Sequence, residues 1–229
     1  MKYVISDIHG EYELVLALMR RIGFSASDEL YLCGDFIDKG DGSVQLIRWL
    51  LSKPNVHCIR GNHEEVFLSY YYSLMRDTED YGEVLERLKD YIKGDGQLLD
   101  WDIIEWLEAL PYYIEADSFI CVHAGVPLDE NNEIPPLGDV PAGQLLYNRR
   151  FKNPDVLPRS EKCVFFGHTA TECVSSKPAI IAYKRSGREG KNIEDYIKIH
   201  LDTGVFTSGR LGCFCIDSCT AVYVERQVE

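Results

Sequence analysis

Nothing in this 229-residue chain approaches the roughly 20 consecutive apolar residues of a membrane-spanning helix, so no membrane partner is expected. Basic residues are also in short supply: 24 Lys and Arg stand against 37 Asp and Glu, a formal net charge of -13. Nucleic-acid binders carry a basic patch, and none stands out, so nucleic acid is not an expected partner. No charged segment followed by an apolar one opens the sequence, which makes a cytoplasmic location the expectation. There is no internal repeat. Zinc-type cysteine spacing is missing too, although the chain has eight cysteines. Cys213, Cys215 and Cys219 offer only three thiols in an unfamiliar pattern. Cys33, Cys58, Cys121 and Cys163 each sit in a strand-like run and read as small core residues of a reducing compartment.

Histidine is scarce as well, and its placement is informative. Four of the six histidines fall in short motifs that also hold carboxylates or an amide. In order these are Asp7-Ile8-His9, Gly34-Asp35-Phe36-Ile37-Asp38, Gly61-Asn62-His63-Glu64, His123-Ala124-Gly125 and Gly167-His168-Thr169, with Asp202-Thr203-Gly204 last. Most follow an apolar, β-branched run, at the strand ends where open α/β sheets build their sites. His57 and His200 lie within strands and read as structural.

The first half alternates strand and helix, a βαβαβ pattern that argues for a parallel sheet with right-handed crossovers. Residues from about 64 to 110 then read as helical, broken at Gly94-Asp95-Gly96, with Asp102 and Glu105 placed like a capping box. Strands return after Phe119 and close with an antiparallel pair, Leu211 to Ile216 and Ala221 to Glu225. Pro127 to Gln144 and Lys184 to Asp195 read as long loops. The length is that of one α/β domain covering residues 1–229.

Asp, His and Asn together suit two hard or borderline divalent cations. Asp7, His9 and Asp35 would hold one; Asp35, Asn62, His123 and His168 would hold the other, with Asp35 bridging. A pair of such cations is suited to hydrolysing phosphate esters. Manganese, iron, zinc, cobalt and nickel all tolerate these donors. Arg60 precedes the Gly-Asn-His block and could aim a bidentate guanidinium at phosphate.

Gly34-Asp35-Phe36-Ile37-Asp38-Lys39-Gly40 and Arg60-Gly61-Asn62-His63-Glu64 resemble the signature blocks of the PPP-type Ser/Thr protein phosphatases, within the calcineurin-like metallophosphoesterases. The resemblance is nearest to the short bacterial and bacteriophage members and spans roughly residues 2 to 204. It implies a four-layer αββα sandwich with a dinuclear site and a helical segment after the third strand. It also implies His63 as general acid, oriented by Asp38, and Arg149 as a substrate arginine. Lys39 stands where the family usually has arginine, keeping the charge but losing the planar fork. The expected activity is a phosphomonoesterase, a Ser/Thr protein phosphatase acting on a phosphoprotein or a phosphorylated small molecule. Glu64 and the short chain favour that over the alternative, a symmetrical dinucleoside tetraphosphatase. A non-catalytic scaffold would show eroded ligands, and none is eroded.

Overall fold

The computed structural model describes residues 1–89, 92, 93 and 100–226. Short apolar runs build two five-stranded sheets. The first has strands β1 (Lys2–Ile5), β2 (Glu29–Leu32) and β3 (Val56–Cys58), all parallel. The second is built from β4 (Tyr113–Glu115), β5 (Phe119–Val122), β6 (Cys163–Phe166), β7 (Ile181–Lys184) and β8 (Tyr196–His200). Its centre, β5-β6-β8, is parallel, and β4 and β7 add antiparallel edges that the sequence had not marked as strands. The final hairpin, β9 (Arg210–Cys215) and β10 (Thr220–Glu225), returns to the first sheet beside β1. The antiparallel closing pair is therefore where the sequence predicts it.

Alternation along the strands sorts the side chains into layers. In β1, Tyr3 and Ile5 face the helices, while Val4 faces the second sheet. Val4, Tyr31 and Cys33 meet Phe119, Cys121, Phe165 and Ile199 between the sheets. Helices α1 (Tyr12–Ile22) and α2 (Ser43–Leu51) cover the outer face of the first sheet with Leu14, Leu18, Val44 and Ile47. The outer face of the second sheet packs Val164 and Phe166 against Leu137, Leu145 and Phe151 from the segment between β5 and β6. Two sheets packed face to face with helices on their outer sides are the layers of the expected αββα sandwich.

After β3 come three helices, α3 (Asn62–Asp77), α4 (Tyr81–Leu88) and α5 (Trp101–Ala109). Phe67, Leu68, Tyr71 and Leu74 form the buried stripe of α3, leaving Tyr70 and Tyr72 exposed. The expected capping box is not formed. The N-cap of α5 is Asp100, so Asp102 and Glu105 lie inside the helix, and the Glu105 carboxylate accepts from the Trp101 indole. The break at Gly94-Asp95-Gly96 lies outside the described residues. The expected loop from Pro127 gives way earlier than Gln144, at α6 (Ala142–Tyr147). Two short helices follow, α7 (Glu172–Ser175) and α8 (Val205–Ser208). No described helix is long and apolar enough to cross a membrane. Cys33, Cys58, Cys121, Cys163, Cys213 and Cys215 are buried thiols, as their strand positions predict.

Candidate metal centre

The motif residues collect where the parallel strands of both sheets end. Asp7 and His9 follow β1, Asp35 and Asp38 follow β2, and Asn62 and His63 open α3 after β3. His123 follows β5, His168 follows β6 and Asp202 follows β8. The turns that carry them are unusual. Asp7, His9, Asp35, Asp38, Lys39 and His168 all have positive φ, between 50° and 71°. Among the described residues only three other non-glycine positions do so, Asn132, Ser176 and Cys219. Such backbone costs about 1 kcal/mol or more per residue and persists only where its surroundings hold it.

Two devices hold it here. The β1–β2 ladder continues past the strands: the amides of Asp7, His9 and Gly10 donate to the carbonyls of Gly34, Asp35 and Phe36. The fully buried Glu64 carboxylate accepts four backbone amides, those of Asp35, Phe36, Ile37 and Gly61, at 2.8–3.2 Å. Burial pushes Glu64 up to about 7 despite those donors. The turn closes so tightly that a Cβ on Gly61 would sit 2.2 Å from Asp35 Oδ1, which only glycine allows.

Asp35 is the centre of the cluster. Its Oδ2 lies 3.5 Å from His123 Nε2, 3.7 Å from His63 Nε2 and 3.9 Å from His9 Nε2. Single atoms of His9, Asp35 and His63, and of Asp35, His123 and His168, converge within 4.8 Å of one another. His123 Nδ1 sits 2.8 Å from the Cys33 carbonyl, which can only accept, so that nitrogen carries the proton. Burial holds the His123 pKa below its ordinary value, so Nε2 is a bare lone pair. That lone pair faces the Asn62 Oδ1 acceptor at 2.8 Å, and Asn62 Oδ1 faces His168 Nδ1 at 2.7 Å. His168 Nε2 is buried without a hydrogen-bond partner among the described residues.

The other half shows the same shortage of positive charge. His9 Nδ1 donates to the Ile37 carbonyl at 3.2 Å, and burial pushes the ring down to about 2, so Nε2 is again a lone pair. The Lys39 ammonium sits on it at 2.8 Å, a stand-in cation. Asp7, Asp35 and Asp202 are buried together. Burial raises the pKa of all three, Asp35 to about 6, and Asp7 is raised further by the neighbouring Asp202 and Asp35. Facing lone pairs and crowded buried carboxylates fit two divalent cations that share Asp35.

The structure separates the remaining expected residues. His63 Nδ1 meets Asp38 Oδ2 at 2.8 Å. Arg149 lines the metal pocket, a space of about 520 Å³, with Lys39, His63 and His168. Arg150 instead lines a neighbouring cavity. Arg60 does not reach the pocket. Its guanidinium donates to Glu65 at 2.8 Å, to the Tyr112 hydroxyl and to the carbonyls of Leu107 and Glu108. Asp7 stands back from the pocket lining, its carboxylate accepting from the Ser6 hydroxyl and from the His168 amide at 3.0 Å.

Asp202 lines the pocket but has no place in the expected ligand set. Its signal was available: an acid at the end of an apolar run, like Asp7. Glu64, read from sequence as a mark of substrate preference, is buried and its carboxylate accepts from backbone amides.

The sequence profile of the calcineurin-like phosphoesterases matches residues 3–196. Among curated relatives, a symmetrical bis(5'-nucleosyl)-tetraphosphatase of Chromobacterium violaceum is 30% identical over 129 residues, 54% of this chain and 43% of that protein. The protein of the same name from Methylobacillus flagellatus is 31% identical over 126 residues, again 54% and 43%. The match thus spans less than half the length of these relatives. A crystal structure provisionally described as a diadenosine tetraphosphatase superposes with a TM-score of 0.71, covering 98% of this chain and 92% of that one at 18% identity. A protein serine/threonine phosphatase from Saccharomyces cerevisiae gives 0.56 at 18% identity, covering 100% and 80%. At such identities the structures speak for the fold alone.

Proposed function

The chain belongs to the calcineurin-like phosphoesterases, and from that premise we propose that it hydrolyses symmetrical dinucleoside tetraphosphates to two nucleoside diphosphates. The observation that carries the chemistry is the His63–Asp38 pair set into a pocket that also holds Asp35, Lys39 and Arg149. The substrate class draws support from the two tetraphosphatases at 30% and 31% identity. The expected preference for phosphoproteins rested on Glu64 and on the short chain; of these, Glu64 carries no weight, because a side chain spent on four buried amides cannot select a substrate by contact.

In this reading Asp7, His9 and Asp35 hold one divalent cation, and Asp35, Asn62, His123 and His168 hold a second. Manganese is the first choice. When bound, the cations supply Lewis-acid activation of water and neutralise charge at phosphorus. The protein's own groups do the rest. Arg149 and Lys39 bind the non-bridging oxygens and orient the central phosphates. A water oxygen adds to one central phosphorus, and its bond to the oxygen that joins the two central phosphorus atoms breaks. His63 Nε2 protonates that leaving oxygen while Asp38 holds Nδ1–H. The water's own proton goes to solvent, and His63 is reprotonated from it.

The test is turnover of diadenosine tetraphosphate beside a phosphoserine peptide, with manganese and with chelator. ADP as the only nucleotide product, lost on chelation, is the expected result. ATP plus AMP, or turnover of the peptide alone, overturns it.

A further inference from the structure

Beside the metal pocket lies a second cavity of about 490 Å³, within the range of small-molecule sites. One short segment separates the two. Arg149 faces the metal pocket, whereas Tyr147, Asn148 and Arg150 line the cavity. The Tyr147 ring is 48% exposed and stands edge-on to the His168 ring, centroids 6.1 Å apart. The cavity therefore opens one side chain away from the proposed ligands.

Its walls are fixed. The Asn148 amide donates to the Val126 carbonyl at 2.8 Å and ties the two sides of the segment together. Lys198 does more. This fully buried lysine of β8 donates its ammonium to the carbonyls of Phe151, Asn153 and Val156, each at 2.7 Å, over the Phe151 and Phe166 rings. Desolvating an ammonium is costly, and all three of its donors are spent on one turn. That turn carries Asp155 and Val156, the far wall of the cavity. The space is thus built and held open.

The lining is mixed: apolar Val126, Leu128 and Val156, the Tyr147 ring, the Arg150 cation and the Asp129 and Asp155 carboxylates. An aromatic face and an apolar wall suit a nucleobase, the carboxylates suit ribose hydroxyls, and Arg150 suits phosphate. In a symmetrical tetraphosphate one phosphate lies between each nucleoside and the nearer reacting phosphorus, and two between it and the scissile oxygen, which fits a cavity adjoining the metal pocket. We infer that this cavity is a nucleoside subsite that receives one base and ribose of the substrate. The inference rests on the dinucleotide reading above.

Two variants test it. Tyr147→Ala removes a half-exposed ring, and Leu128→Trp fills the space from the opposite wall. Each is assayed against diadenosine tetraphosphate and p-nitrophenyl phosphate, with ADP as an inhibitor of the second reaction. Selectivity for the dinucleotide should fall by about ten- to a hundredfold, and inhibition by ADP should weaken in parallel. An unchanged selectivity in both variants overturns the subsite even if the wild-type protein cleaves the dinucleotide. If the wild-type protein does not cleave the dinucleotide but ADP inhibits it through Tyr147 and Leu128, the subsite stands and the substrate reading fails.

Discussion

The two halves of the metal centre are built differently. The half on the first sheet places Asp7, His9, Asp35, Asp38, Lys39, Asn62 and His63 on three consecutive turns, most of them in left-handed backbone, and Glu64 ties two of the turns together through the amides of Asp35, Phe36, Ile37 and Gly61. The half on the second sheet contributes single residues, His123, His168 and Asp202, at the ends of strands far apart in sequence. Between His123 and His168 it carries a long insertion with Arg149 and the adjoining cavity. The first half commits its backbone to chemistry. The second completes the cluster and leaves room for what differs between substrates.

The largest effect is expected at His63, on the committed half. His63→Asn should lower kcat by about 10²–10⁴-fold, most on poor leaving groups, with metal content unchanged. Metal loss by elemental analysis would instead make His63 a ligand. Next is Glu64→Ala, which strips four buried amides of their acceptor. A loss of about 3 kcal/mol or more in urea unfolding is expected; a loss under 1 kcal/mol would show that the turns hold themselves.

The two arginines sharpen the contrast further. Arg149→Met should raise KM about tenfold or more while the melting temperature stays put. Arg60→Met should do the reverse, lowering the melting temperature and sparing KM, because its guanidinium is spent on Glu65, Tyr112 and two carbonyls. Matching effects of the two on KM would contradict the placement of Arg60. The smallest effect is expected from Lys39→Arg, which restores a planar fork at the pocket. KM should tighten about twofold to fivefold; unchanged kinetics would make position 39 part of the loop alone.

The first half was also the more legible from sequence. Its motifs are contiguous, so Asp7, His9, Asp35, Asn62 and the His63–Asp38 pair could be read from spacing and resemblance. His123 and His168 were readable because each ends an apolar run. Arg60 misled because adjacency to Gly-Asn-His says nothing about direction, and its side chain turns toward α5. Lys198 was nearly invisible. A lysine in a strand reads as an edge residue, and only the strand's alternation sets it on the same face as His200. The edge strands β4 and β7 escaped because three or four half-exposed residues give too short a pattern. The positive-φ turns left no mark at all, since Asp, His and Lys do not announce left-handed backbone as glycine does.

In the proposed reading one carboxylate, Asp35, joins the two halves by holding both cations. The direct measurement is metal stoichiometry after manganese loading and desalting, for the wild-type protein and Asp35→Asn, with turnover measured on the same samples. Two ions per chain in the wild type, and at most one with no detectable turnover in the variant, is the predicted result. A fully loaded, active Asp35→Asn protein would contradict the shared centre.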